Sequence, residues 1–468
     1  MLEMVRFSIW LKYKLYYNIM KRRMLLVQIG QSFSSLRHLN FKRFIIGQSI
    51  SLIGTWVQNI AQPWLVLELT GSPFLLGVIV SCQTLPQMLF TFFAGSVIEQ
   101  VPKKRILLIT QSAYLVFAFA LGLLTILGLV QFWQVLIIAL LFGMTNAIDM
   151  PARQAYMIEL VGREDLSNAI GMNSTIFNLA RIIGPSIGGI MISAFGIAVC
   201  FFINGITYLA VIYQLIKIDT PFKIKLVEKI NLGFLIQNMK DGIRYVLRSQ
   251  SMKYIFLLFM ILGIFALNFS VLNPVIAKND FQRGAAGLSI IMTSMGIGAL
   301  AGALSMMFLK QKRPALSTIW GIGSGFALSQ ILLGLSQTFE LACVFMAFTG
   351  FFMVLFSTMV NSRIQLDVDD AYRGRIVSFY VFTFVGVAPI GSIYAGWISS
   401  AFSGRFAFLV SGIIAMLATF LVWTRVNKGK DLIRTCKKIG KIMVCMLDEE
   451  KTWSAKGVEL ANEKKPVE

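Results

Sequence analysis

Long apolar runs alternate with short polar connections along most of the chain. The runs at 106–130, 199–216, 254–277 and 405–424 each supply roughly the twenty apolar residues that a helix needs to cross a bilayer. A transmembrane β-barrel would instead alternate within segments of roughly ten residues. The pattern therefore predicts an all-α integral membrane protein. Its twelve predicted spans lie near 44–68, 75–98, 106–129, 133–152, 169–194, 199–217, 253–276, 285–309, 315–335, 340–361, 374–400 and 405–425.

Basic residues fall mainly on one side of these predicted spans. Connections on that side carry Lys103, Lys104, Arg105, Arg153, Arg163, Lys310, Lys312, Arg313, Arg363, Arg373 and Arg375. The alternate connections are short and nearly uncharged, with Lys278, Arg283 and Arg405 as exceptions. The positive-inside rule then places the basic side and both termini in the cytoplasm. The net charge of +21 thus follows from membrane topology, and we expect no binding of nucleic acid.

The longest internal connection divides the spans into two sets of six. It covers 218–252, is polar and basic, and contains the segment GFLIQNMKDGIRYVLRS, whose apolar spacing predicts a helix along the membrane surface. A weak repeat of arginine, charged loop and Pro/Gly-rich helix occurs at corresponding places in the two sets. We therefore expect two pseudo-symmetric six-helix bundles. The expected organisation is an N-terminal segment 1–40, bundles at 41–217 and 253–425, the 218–252 loop between them, and a cytoplasmic tail 426–468.

Small residues recur at helical spacing in two of the predicted spans. Span five contains FNLARIIGPSIGGIM, in which Ala180, Gly184 and Gly188 share one face, accompanied by Pro185 and Gly189. Span eight has Ser294, Gly298 and Gly302 at the same spacing. Faces without bulky side chains allow backbones to approach closely, and a proline bends or loosens its helix. These features predict that spans five and eight slide against each other through their small-residue faces.

Two motifs resemble those of major facilitator superfamily exporters. GPSIGG after Ala180 resembles the fifth-helix motif G-x-x-x-G-P-x-x-G-G, with alanine in place of the first glycine. VIEQVPKKR after Gly95 resembles the loop motif G-x-x-x-D-R-x-G-R-R. Glu99 replaces its aspartate, and a basic run is kept by Lys103, Lys104 and Arg105.

Longer stretches are similar to the enterobactin-exporter-like branch, also called transmembrane secretion effectors. They are SLIGTWVQNIAQPWLVLELTGSP, AIDMPARQAYMIELV and DLSNAIGMNSTIFNLARIIGP, within a resemblance that covers about residues 35–425. The resemblance implies the major facilitator fold, in a bacterial plasma or inner membrane. It also implies export of a small organic molecule, a siderophore-like metabolite or a drug, by alternating access.

Arg181 lies at a depth where a charge must face protein or water. It is about twelve residues into span five, roughly 18 Å at the helical rise, and a charge there is costly when it faces lipid. Gln58, Gln62 and Asn268 lie at comparable predicted depth. We expect these three amides to line a polar substrate cavity with Arg181. The alternative interpretation is that the arginine holds helices together through amides and carbonyls.

Proton antiport is the expected source of energy, because no nucleotide-binding P-loop is present. Asp149 is the candidate proton-coupling acid, and its spacing from Arg153 predicts an i, i+4 pair near the cytoplasmic exit of span four. His38 is the single histidine, and the five cysteines are scattered without metal-site spacing. We therefore expect no metal and no cofactor. The expected partners are a small-molecule substrate and membrane lipid, with the protein a monomer.

Two other classes of function remain as alternatives at this point. A scaffold or receptor that does not transport could use the same fold. A membrane-embedded acyl- or glycosyl-transferase would need clustered His, Asp or Glu at a membrane face, and such clustering is missing from the sequence. The sequence therefore favours a transporter over an enzyme.

The predicted topology can be tested by cysteine labelling in intact cells. With the five native cysteines replaced by serine, a cysteine at position 230 should react with an impermeant maleimide only after the cells are lysed. The reason is that the positive-inside rule places the 218–252 loop in the cytoplasm. Ready labelling of intact cells would contradict the topology.

Overall fold

The computed structural model describes residues 34–219, 232–308, 314–369 and 372–425, and within these ranges the chain is helical and has no strand. A short 3-10 helix, Ser34–Arg37, precedes the first long helix. The long helices of the first half are α1 (Leu39–Thr70), α2 (Pro73–Gln100), α3 (Lys103–Ile126), α4 (Phe132–Val161), α5 (Leu166–Phe195) and α6 (Ile197–Lys217). The all-α membrane fold predicted from the sequence is confirmed.

The second half begins with α7 (Leu232–Arg248), which confirms that the 218–252 connection contains a helix. The helices that follow are α8 (Gln250–Ala266), α9 (Phe269–Val275), α10 (Gly284–Phe308), α11 (Leu316–Leu335), α12 (Phe339–Asp367), α13 (Arg373–Ala401) and α14 (Gly404–Arg425). A π-helical turn, Ile276–Asp280, continues α9. The predicted span 253–276 is therefore broken between α8 and α9, and Asn268 lies in the break.

Ten helical segments of the described residues are long and apolar enough to cross a membrane. The helices α1 and α13, of 32 and 29 residues, are outside that set. In α1 the reason is composition, because buried Gln48, Gln58 and Gln62 interrupt its apolar residues. The predicted count of twelve spans is compatible with these ten segments together with α1 and α13.

Helix packing divides into contacts within each half and contacts between the halves. In the first half α1 packs on α5 and α6, α2 on α4, and α3 on α4 and α6. In the second half α10 and α11 pack on α12, while α8 packs on α13. The two halves meet mainly where α5 packs on α10 and where α2 packs on α13. We call the end of the bundle at which α1 begins the basic end, and the other end the opposite end.

The small-residue face of α5 packs on α1, inside the first half. Ala180 is 1% exposed. A Cβ on Gly184 would collide with Trp56, and a Cβ on Gly188 would lie 3.4 Å from the Val57 backbone. These small residues therefore bring α5 and α1 together, and they do not face α10.

The small-residue face of α10 likewise packs inside its own half. Cβ atoms on Gly298 and Gly302 would collide with the backbone of α12 at Ala347 and Phe351. Ser294 is half-buried, and its hydroxyl donates to the carbonyl of Ile290. The prediction that the two small-residue faces pack against each other is therefore wrong. Close packing within a bundle selects small residues just as an interface between bundles does, and the spacing does not identify the partner.

Neighbouring faces of the same two helices form the contact between the halves. The hydroxyls of Ser186 and Thr293 lie 2.9 Å apart, and the Ser289 hydroxyl donates to the Pro185 carbonyl. A Cβ on Gly189 would collide with the Ser289 side chain. The helices α5 and α10 therefore do pack together, but through hydroxyl contacts and one glycine of the predicted motif.

Contacts at the opposite end close the bundle there. The start of α2 lies against the end of α13, since a Cβ on Gly396 would approach both the Pro73 carbonyl and Gly77. Lys278 Nζ donates to the Leu67 carbonyl at 2.7 Å and lies 5.6 Å from the Trp64 ring centroid. A cation is favoured at a helix C-terminus, so Lys278 of the second half caps α1 of the first.

The other two exceptions to the charge asymmetry also have local partners. Arg283 pairs with Glu340 at 3.4 Å. The Asp280 carboxylate accepts a hydrogen bond from the Arg405 backbone N–H at 2.6 Å, at the start of α14. Lys278 and Arg283 are thus held by contacts of their charged groups, and Arg405 by a contact of its backbone.

The packing of Gly189 between the halves leads to a crosslinking prediction. Ser186→Cys with Thr293→Cys, in a chain without native cysteines, should form a disulfide in high yield because their hydroxyls are in contact. Adding Gly189→Leu should at least halve the yield, since the new side chain pushes against Ser289. The matched control is Gly171→Leu on the same helix, where nothing lies within 4 Å of the added Cβ. An unchanged yield with Gly189→Leu would show that this contact between α5 and α10 does not depend on the glycine.

Candidate functional site

A cavity of about 340 Å³ lies between the two halves. Its walls come from α1, α2 and α5 of the first half, and from α9, α10 and the break after α8 in the second. The lining residues are Trp56, Asn59, Gln62, Pro63, Leu76, Ile79, Val80, Gln83, Thr84, Gln87, Arg181, Leu267, Phe269, Ser270, Asn273, Pro274, Met292 and Met295. The cavity is thus apolar and aromatic with several amides, which is typical of small-molecule sites.

Arg181 is the single charged residue among the described residues that line this cavity. Its side chain is partly buried, with Nη2 4.0 Å from the Met353 sulfur and Cζ 5.9 Å from the Trp56 ring centroid. Within the described ranges no carboxylate forms an ion pair with it. A guanidinium has five N–H donors and a thioether is a weak acceptor. Most of the hydrogen-bonding capacity of Arg181 is therefore unused by the described residues.

One of the three predicted neighbours of Arg181 lines the same cavity. That residue is Gln62. Gln58 instead accepts a hydrogen bond from Asn204 Nδ2 at 2.6 Å, which ties α1 to α6. Asn268 donates to the Ile264 carbonyl at 2.7 Å and packs beside Gly391. The placement of Gln58 and Asn268 in the cavity is therefore wrong, because both amides are used to hold helices together.

Four amides that line the cavity were missed by the sequence analysis. They are Asn59, Gln83, Gln87 and Asn273. The available signal was their position as polar residues inside apolar runs. Depth alone did not separate them from Gln58 and Asn268, because it gives no information about which face of a helix points inward.

A second cavity, of about 330 Å³, adjoins the first and lies nearer the basic end. Both cavities have Asn59 and Gln83 in their walls. The described residues that line the second all belong to the first half, and they include Gln48, Gln111 and Tyr114. The two cavities together make a polar path from the middle of the bundle toward the basic end.

Asp149 lies in the wall of the second cavity and is only 4% exposed. Arg153 donates to its Oδ2 through Nη2 at 2.6 Å and Nε at 3.1 Å. Thr110 and Gln111 donate to its Oδ1 at 2.5 and 3.0 Å. The predicted pair of Asp149 and Arg153 is confirmed, and the carboxylate accepts hydrogen bonds from four donor atoms of three residues.

The basic run of the loop motif binds two neighbouring helices at the basic end. Lys103 pairs with Glu159 of α4 at 2.9 Å. Lys104 donates to the Ile218 carbonyl at 2.6 Å, just after α6, and Arg105 is exposed. Gly95 and Glu99 belong to α2, but their surroundings lie outside the described part of the structure. The described half of the motif therefore joins α3 to α4 and α6.

A small polar cluster ties the 3-10 helix to the start of α5. His38 Nε2 lies 2.8 Å from Asp165 Oδ2, and the Ser34 hydroxyl donates to Oδ1 of the same carboxylate. Hydrogen bonds from Ser34 and then His38 lower the pKa of the Asp165 carboxyl. Ser35 likewise donates to Asn168. The beginning of α5, the helix that carries Arg181, is thus anchored at the basic end.

Comparisons with known proteins agree with this architecture. The staphyloferrin A transporter of Staphylococcus aureus is 24% identical over 389 residues, covering 82% of this chain and 95% of that protein. The multidrug efflux pump Tap of Mycolicibacterium fortuitum is 24% identical over 386 residues, covering 79% and 92%. Both relatives are transporters and not enzymes.

The fold is shared with a solved transporter structure. The crystal structure of the nucleoside transporter NupG superposes with a TM-score of 0.64 at 13% identity, covering 82% of this chain and 98% of that one. The family model described as transmembrane secretion effector matches residues 30–437, which include every described helix. The chain therefore belongs to the transmembrane secretion effector family of major facilitator exporters.

Proposed function

We propose that this protein exports a small organic molecule, a siderophore-like metabolite or a drug, by alternating access coupled to proton antiport. The observation that carries the proposal is the Arg181 guanidinium, which reaches the cavity between the halves without an ion-pair partner among the described residues. The siderophore and drug alternatives come from the relatives, one a staphyloferrin A transporter and the other a multidrug efflux pump.

The contacts between the halves support an inward-facing state. The Ser186–Thr293, Lys278–Leu67 and Gly77–Gly396 contacts all lie from the middle of the bundle to the opposite end. The second cavity extends the path toward the basic end, which is cytoplasmic in the proposed topology. Release of substrate to the other side then requires these contacts to break while new ones form at the basic end.

Asp149 is the proposed proton-coupling group. Protonation would remove the charge that pairs with Arg153, which lies on the same helix one turn away. Breaking one side of a buried ion pair costs about 3–5 kcal/mol, enough to shift a two-state equilibrium of the bundle. A proton bound at Asp149 would thereby alter the packing of α3, α4 and α1 around the second cavity.

Substitution of Arg181 tests the site. In proteoliposomes with a pH gradient, and a panel of catecholate siderophores and macrolides, the parent should export at least one compound. Loss of a charge-assisted hydrogen bond costs about 1.5–3 kcal/mol, which is about ten- to a hundredfold. Arg181→Lys should therefore reduce export about tenfold, since the planar guanidinium and its five N–H donors are lost. Arg181→Gln should reduce export further.

The thermal unfolding midpoint separates a binding role from a structural one. Both Arg181 variants should unfold near the parent temperature, as should the control Arg163→Gln in the exposed α4–α5 connection, which should also export normally. Unimpaired export by Arg181→Gln would exclude the substrate role. Loss of folded protein in both Arg181 variants would identify the arginine as structural.

Substitution of Asp149 tests proton coupling. Asp149→Asn should abolish export driven by the pH gradient and spare substrate exchange without a gradient, because only the former needs the titrating acid. The matched control is Asp367→Asn, whose residue forms the same i, i+4 pair with Arg363 at 2.6 Å in the second half. The double variant Asp149→Asn with Arg153→Gln avoids a buried unpaired cation. Gradient-driven export by that double variant would place coupling elsewhere.

A further inference from the structure

Asn273 has a buried carbonyl oxygen without a hydrogen-bond partner among the described residues. The residue belongs to α9, is 1% exposed and lines the central cavity. Its Nδ2 lies 3.8 Å from the Met295 sulfur, while its Oδ1 has no hydrogen-bond donor among the described residues. A thioether sulfur can accept but not donate, so the amide nitrogen must face Met295. The oxygen is therefore the unsatisfied atom.

An unsatisfied buried acceptor is costly to keep. Such a group costs about 1–3 kcal/mol when no donor reaches it, and native proteins contain few of them. An apolar residue of similar size at position 273 would avoid this cost in a wall that already contains Phe269, Met292 and Met295. A bound molecule that donates a hydrogen bond to the Asn273 oxygen would remove this cost.

Two prolines each remove a backbone donor from a helix that lines the same cavity. Pro274 has no N–H to pair with the Ser270 carbonyl one turn earlier, and Pro63 has none for the Asn59 carbonyl. Both Ser270 and Asn59 line the cavity. Asn273 of the second half thus offers a neutral oxygen acceptor, whereas the single charge among the described lining residues is the cation of Arg181.

We infer that the substrate is an organic anion that also carries a hydroxyl or amide N–H. Arg181 of the first half binds the anionic group, and Asn273 Oδ1 of the second half accepts from the donor. This inference rests on the proposed function and names the chemical class that the exporter carries. A cavity of about 340 Å³ is at the small end of ligand sites. A molecule bound at both residues bridges the two halves, so its affinity depends on their arrangement.

Three small aromatic probes separate the two contacts. Benzoate supplies the anion, catechol supplies the hydroxyls, and 3,4-dihydroxybenzoate supplies both on one ring, which suits the walls formed by Trp56 and Phe269. Each is titrated into the purified full-length chain in detergent, and the unfolding midpoint gives an apparent affinity. For the parent we expect 3,4-dihydroxybenzoate to bind about tenfold more tightly than benzoate. Catechol should bind more weakly than either acid.

Variants assign each preference to its residue. Asn273→Leu should retain benzoate binding, and its affinities for benzoate and 3,4-dihydroxybenzoate should differ by no more than about twofold. Arg181→Gln should no longer bind either acid more tightly than catechol. Asn273→Asp should weaken both acids by charge repulsion while leaving catechol unchanged. The control Asn178→Leu replaces a half-buried amide on α5 that donates to the Ser174 carbonyl and lines neither cavity, and it should keep the parent profile.

Several outcomes would overturn the inference. One is that Asn273→Leu still binds 3,4-dihydroxybenzoate tenfold more tightly than benzoate. Another is that this variant loses affinity for both acids equally. The third is that neither acid gives a saturable increase in the unfolding midpoint of the parent. Binding is measured here without transport. A chain that binds the probes as expected but exports nothing would contradict the proposed function alone, whereas export with no dependence on Asn273 would contradict the inference alone.

Discussion

A fixed positive charge within the hydrocarbon depth is the constraint on which the rest of this structure depends. Arginine cannot shed its proton to become neutral, so the protein must enclose Arg181. The enclosure explains the cavity between the halves, the amides on its walls and the low hydropathy of α1. It also explains why α5 uses small residues on its other face, since a helix that presents a guanidinium inward must pack closely on α1 behind it.

The sequence predicted the features that follow from composition and local spacing. Apolar runs predicted most of the helices, and spacing along one helix predicted the pair of Asp149 and Arg153. Depth predicted that Arg181 reaches a polar cavity, and Gln62 lies there with it. These inferences needed no knowledge of how one helix is rotated relative to another.

The wrong predictions concern features that depend on how a helix is rotated about its axis and on which helices are its neighbours. Gly184 and Gly298 have the spacing expected for an interface between the halves, yet each contacts a helix of its own half. Gln58 and Asn268 have the expected depth, but Gln58 binds Asn204 and Asn268 binds the Ile264 carbonyl in the last turn of α8. Asn273 was missed because a single polar residue beside a proline gives no sign of the cavity it faces.

The contact from Lys278 to the Leu67 carbonyl has a genetic consequence. The acceptor is a backbone atom, so no substitution at position 67 other than one that distorts α1 can remove it. The donor is a side chain, and almost any change at position 278 abolishes the contact. Selection to keep this contact should therefore act on the side chain at position 278 and not on the side chain at position 67. A family-wide survey of sequences should find a cation retained at 278 and free variation among apolar residues at 67.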